Sequence, residues 1–175
     1  MMRYVLVYGG LAGAIVISVL CASFALELPN HTSSLWFGYL VMLVALSLIF
    51  VGVKRYRDVE CGGVIRFGRA LGLGLGIAAL AGVVYVIGWE LYLAMTGWDF
   101  MAEYGASIVQ GMRAKGASAA AIAAKTEELR GYAEMYRNPV YRTAMTFAEI
   151  FPVGLVVAFV SAAVLRNPRM LPARA

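Results

Sequence analysis

Charge is scarce in this sequence: Asp, Glu, Lys and Arg make up 14% of its 175 residues, where a soluble domain carries about a quarter. Metal-ligating and redox residues are scarcer, with one histidine and two cysteines. His31 stands in a short polar connection, where a histidine is ordinarily a solvated loop residue. Cys21 falls inside the first apolar run and Cys61 in a loop at the opposite membrane face, so they are not expected to pair, and without CxxC spacing they make no zinc or thiol-redox motif. No nucleophile stands near an orienting base, which leaves no catalytic residue to name. The run Gly72-Leu73-Gly74-Leu75-Gly76 is rich in glycine, but no strand precedes it and apolar residues surround it, which excludes a phosphate loop. No metal or cofactor is expected.

What the chain has in excess is apolar length, at 62% hydrophobic residues. Four runs, at about 4–26, 35–53, 67–95 and 139–165, each reach the roughly 20 residues that cross a hydrocarbon core of about 30 Å. Only helices satisfy their own backbone groups in lipid, so the expected fold is all-α, a polytopic membrane four-helix bundle forming a single domain over 1–175. The third run carries Gly68, Gly72 and Gly76, with Ala78 and Gly82 continuing the small-residue pattern, and the first carries Gly9 and Gly13. Such stripes allow close helix approach, within one chain or between copies in a homo-oligomer. Tyr8-Gly9 with Gly13 and Phe67-Gly68 with Gly72 form a faint repeat. The Ala-Ser-Phe-Ala stretch ending at Ala25 weakly resembles a signal cleavage site, and an uncleaved first anchor is the preferred reading.

Orientation follows from the basic residues. Lys54, Arg55, Arg57 and Arg66 lie in a basic loop, 54–66, with Arg69 just beyond and Arg166, Arg169 and Arg174 in the tail. The positive-inside rule makes these segments and both termini cytoplasmic. The net charge of +5 comes from residues beside the spans, so anionic head groups, contacted by Lys54, Arg55, Arg57, Arg66 and Arg69, are the expected partner, and nucleic acid is not. Trp36, Phe37 and Tyr39 open the second span as an aromatic belt.

The insert 96–138 balances five acidic against five basic residues, as a translocated segment should. Thr96 and Asp99 suggest a helix start, Gly116 its end, Ser118 the cap of a second helix, and Asn138-Pro139 the start of the fourth span. Ile122, Leu129, Tyr132 and Tyr136 make a weak apolar stripe on the second helix. The expectation is an extracytoplasmic helical hairpin over the outer mouth of the bundle.

Two acids fall inside spans, where each costs a few kcal/mol unless protonated or turned inward. Glu90 should lie within a turn of the outer interface and Glu149 two to three turns below it. Arg142, Thr146 and Glu149 share one face of the fourth span, which offers Glu149 a basic partner. Pro152 should kink that span beside Glu149. One reading is a structural clasp in which Glu90 and Glu149 bond across spans three and four or meet Arg142. The other is a site for a cation, a proton or a lipid head, formed by Glu90, Glu149 and Arg142 with Tyr85, Trp89, Tyr92 and His31. Use of the two acids as a general acid and base is the remaining alternative.

The runs YGGLAGAI, GYLVMLVALSLIFVGVKRYRD, CGGVIRFGRALGLGLGIAALAGVVYVIGWELY and MYRNPVYRTAMTFAEIFPVGLVVAFVSAAVLR resemble the small bacterial inner-membrane family catalogued as domain of unknown function 4199. Nearly the whole chain is covered. The shared positions fall on Tyr56, Arg57 and Asp58, on Trp89, Glu90 and Tyr92, on Asn138 and Pro139, and on Glu149, Phe151, Pro152 and Gly154. The resemblance implies four helices with a helical insert before the last, and no activity. The insert departs from the family in its alanine-rich run over 117–124. The expected protein is a multi-pass protein of the bacterial inner membrane, a non-enzymatic accessory or lipid-interacting protein with lipid, homo-oligomer or membrane-protein partners. The alternative is a small proton- or cation-coupled carrier, or a protein of lipid-linked substrates, that uses Glu90 and Glu149.

Overall fold

A computed structural model describes residues 1–25, 35–97 and 99–172, and among them every regular element is a helix. The first span opens as α1 (Met2–Tyr4), widens through a π-helical stretch (Val5–Gly9) and continues as α2 (Gly10–Ala25). The second is α3 (Leu35–Leu46) and α4 (Leu48–Glu60), divided at Ser47, whose hydroxyl donates to the Val44 carbonyl at 2.6 Å. The third is α5 (Phe67–Thr96), about 45 Å long at the helical rise and closed by Gly97 at φ +61°. Two shorter helices, α6 (Phe100–Ala114) and α7 (Ala119–Tyr136), precede α8 (Pro139–Leu165). Four stretches, Met2–Phe24, Trp36–Glu60, Phe67–Thr96 and Pro139–Leu165, are long and apolar enough to cross a membrane.

The punctuation of the insert follows its side chains. Asp99 accepts from the Ala102 amide at 3.1 Å, Ser118 from Ala121 at 3.2 Å and Asn138 from Val140 at 3.0 Å, each satisfying an orphan donor of the helix it opens. Gly116, at φ +72°, turns the chain between α6 and α7, which pack on one another. The basic segment corrects the expected loop 54–66: α4 stays helical to Glu60, steadied by Lys54 donating to Asp58 one turn on, at 2.5 Å. The connection is therefore only residues 61–66.

α5 is the central helix, packed on α8 along most of its length and on α2 and the π-helical stretch from another side. Small residues set both approaches. A Cβ on Gly13 would stand 2.6 Å from the Ala81 carbonyl oxygen, and one on Gly74 2.9 Å from the Ala158 Cβ. A Cβ on Gly154 would stand 2.8 Å from that of Ala78. α5 and α8 thus run antiparallel, a step along one matched by a step back along the other. Of the stripe read in the third span, Gly76 meets Val5 and Gly82 meets Phe147, but Gly68 and Gly72 face open space. α8 remains helical through Pro152.

Candidate functional site

The register set by Gly74, Ala78 and Gly154 carries forward to the polar end of the α5 and α8 pair. There it brings Tyr85 opposite Glu149 and Glu90 opposite Arg142. Tyr85 donates its hydroxyl to the Glu149 carboxylate at 3.2 Å. The Arg142 guanidinium holds both Glu90 oxygens, donating from Nε at 2.7 Å and again from Nη2. The fork of two donors matches the carboxylate and makes this a charge-assisted pair. A joint clasp of Glu90 with Glu149 is therefore replaced by two separate contacts. Arg142 shares a face of α8 with Glu149 but lies nearer its start, level with Glu90, and that placement decides its partner.

Immediately before Glu90 in the chain, Trp89 donates its indole N–H to the Tyr136 hydroxyl at 2.7 Å, tying α7 to α5. The Arg142 guanidinium stands 5.7 Å from the Tyr136 ring centre, a cation over an aromatic face. Burial pushes the Tyr136 phenol above its ordinary value despite the bond from Trp89, which acts the other way. Phe100, from the start of α6, meets the Trp89 ring edge-on at 5.3 Å. These contacts hold the α6 and α7 pair over the ends of the spans.

Beneath the pair lies a cavity of about 480 Å³. α2 lines it with Leu20, Ser23 and Phe24, α3 with Phe37, Gly38, Tyr39 and Met42, and α5 with Tyr85 and Trp89. α6 contributes Phe100, Met101, Tyr104 and Ile108, and α7 contributes Lys125, Leu129, Tyr132 and Tyr136. Tyr141, Met145, Thr146 and Glu149 of α8 complete the wall. Nearly half of these side chains are aromatic, and Glu149 and Lys125 are the charged ones. Such a volume, mostly apolar with a few polar groups, is within the range of small-molecule sites.

The residues singled out in the sequence distribute as follows. Glu149, Tyr85 and Trp89 line the cavity; Glu90 and Arg142 are paired beside it and do not line it. Tyr92 stacks on Trp89 at 5.8 Å, behind the wall. His31 lies outside the described residues. Of the five residues assigned to head groups, Arg55, Arg66 and Arg69 are exposed, and Lys54 is occupied in part by Asp58. Arg57 must be reassigned. It is fully buried, donates to Asp58 at 2.7 Å, and binds the carbonyls of Met170 and Leu171 at 3.0 and 2.5 Å, so it fastens the C-terminal segment to α4. Among the described residues no group of His, Cys, Asp and Glu could hold a metal ion.

The cavity residues of α2 and α6 were not foreseen, because hydropathy marks them only as span or insert, and Phe37 and Tyr39 of α3 read as an aromatic belt. One signal did point to the site: of the stripe Ile122, Leu129, Tyr132 and Tyr136 of α7, all but Ile122 line it. A family model described as protein of unknown function (DUF4199) matches residues 7–167. No curated protein and no solved structure matches the chain.

Proposed function

The chain belongs to the DUF4199 family, and we propose that it is a non-enzymatic protein that holds an amphipathic or lipid-like molecule in the cavity beneath α6 and α7. The observation that carries this reading is the cavity: a partly open space of about 480 Å³ at the ends of the spans, with largely apolar and aromatic walls and the carboxyl group of Glu149 among them. An aromatic, methionine-containing wall adapts to an apolar body, and a few polar groups orient its head.

In this reading the protein sits in the bacterial inner membrane as a four-helix bundle, with both termini cytoplasmic and the α6 and α7 hairpin outside. The exposed Arg55, Arg66 and Arg69 support that orientation and meet anionic head groups on the cytoplasmic side. The carrier alternative narrows to Glu149, because Glu90 is closed off by Arg142 and does not line the cavity.

The test is native mass spectrometry of the protein released from its own membrane in a mild detergent, compared with Gly38→Phe. Gly38 lines the cavity and a Cβ there meets nothing within 4 Å, so a ring can be placed at this wall without a backbone clash. An adduct of defined mass on the natural chain, lost in Gly38→Phe, is expected. A bare protein, or an adduct that Gly38→Phe leaves in place, would overturn the reading.

A further inference from the structure

The charges around the cavity are unequal. The Lys125 ammonium already meets Glu128 at 2.8 Å. Glu149 forms no ion pair among the described residues and accepts a hydrogen bond only from Tyr85. The arginine of its own helix, Arg142, is held by both oxygens of Glu90. Among the described residues Glu149 is therefore the acid of the cavity wall and has no cationic partner, and it faces a space large enough for an organic molecule.

The walls point the same way. Tyr85, Trp89, Phe100, Tyr104, Tyr132 and Tyr136 surround that space. Aromatic rings carry negative potential on their faces and attract organic cations, as the Arg142 guanidinium over the Tyr136 ring already does at the edge of this space. An onium head can pair with Glu149 as its carboxylate, whereas an anionic head would find Lys125, the basic residue of the wall, already beside Glu128.

We infer that the cavity selects a lipophilic organic cation, an ammonium or similar onium group on an apolar body, with its charge at Glu149. This rests on the reading that the cavity holds an amphipathic molecule, and it adds the sign of the head group. The role is binding, with no bond made or broken.

The test is calorimetric titration of the purified protein in an uncharged detergent with tetraphenylphosphonium, and with tetraphenylborate as a probe of nearly the same shape and opposite charge. Saturable binding of the phosphonium and none of the borate is expected. Glu149→Gln keeps the Tyr85 contact but removes the charge, and should weaken phosphonium binding about tenfold or more, as loss of a desolvated charge contact does. Glu149→Asp keeps the charge and should retain most of the binding; if Glu149→Gln does not fold, this variant and the discrimination between the two probes decide the matter. Equal binding of both probes, no phosphonium binding, or undiminished affinity in Glu149→Gln would overturn the inference. If the cavity still yields an adduct sensitive to Gly38→Phe, the ligand is uncharged or zwitterionic and the broader reading survives. If neither adduct nor probe binds, both fall.

Discussion

Arg142 and Glu90 meet with side chains only 21% and 27% exposed, at the end of a helix pair long and apolar enough to cross a membrane. Removing one partner leaves the other desolvated and unpaired, which costs more than the pair contributes. Arg142→Met and Glu90→Gln should each lower stability by about 1–3 kcal/mol, and the double variant by clearly less than the sum. Thermal unfolding in one fixed detergent measures this, and strictly additive losses would mean the two groups do not interact. Tyr136 has a phenol held above its ordinary value by burial, so the folded state favours its neutral form. Its contribution is complete below the unfolded value of about 10 and is lost as pH rises through the higher folded value. Docking of α7, followed by the fluorescence of Trp89, should therefore be level to about pH 10 and weaken above it, and Tyr136→Phe should flatten that step. The acids themselves were legible, since charged residues inside apolar runs stand out. Their partners were not: periodicity placed Arg142 and Glu149 on one face of α8, while the register that gives Arg142 to Glu90 is a property of two helices.

At the scale of elements, the ends of α6, α7 and α8 were legible because Asp99, Ser118 and Asn138 act locally, each capping an amide two or three residues ahead. The end of α4 was not, because hydropathy falls at Lys54 whereas the helix continues to Glu60. The small-residue stripes were visible as stripes, but which glycines carry the packing depended on helix rotation. Gly13 lies against the α5 backbone and Gly72 against nothing. Gly13→Ala should force α2 and α5 apart and destabilise by about 1–3 kcal/mol. Gly72→Ala should be neutral, or stabilising by up to about 1 kcal/mol from helix propensity. If unfolding measurements make Gly72→Ala as damaging as Gly13→Ala, the Gly68 and Gly72 face is occupied by a second chain, and the homo-oligomer expected from the sequence gains its interface.

At the scale of the whole molecule, four apolar helices could be counted from the sequence and a site at Tyr85, Trp89 and Glu149 is one reading of it, but most of the cavity wall could not be foreseen. Its wall draws on α2, α3, α5, α6, α7 and α8, and no local pattern records that these side chains converge. Of the apolar stripe Ile122, Leu129, Tyr132 and Tyr136 on α7, the last three line this space and Ile122 does not. The central claim is that this space binds an apolar body. Photo-crosslinking in lipid nanodiscs with a diazirine-bearing alkylammonium amphiphile, mapped by peptide mass spectrometry, tests it most directly. Labelling should concentrate on cavity residues such as Met42, Met101 and Met145, and fall when Gly38→Phe fills the space. Labelling spread evenly over the exposed residues of the spans, such as Leu40, Val44 and Val156, and unchanged by Gly38→Phe, would contradict the claim.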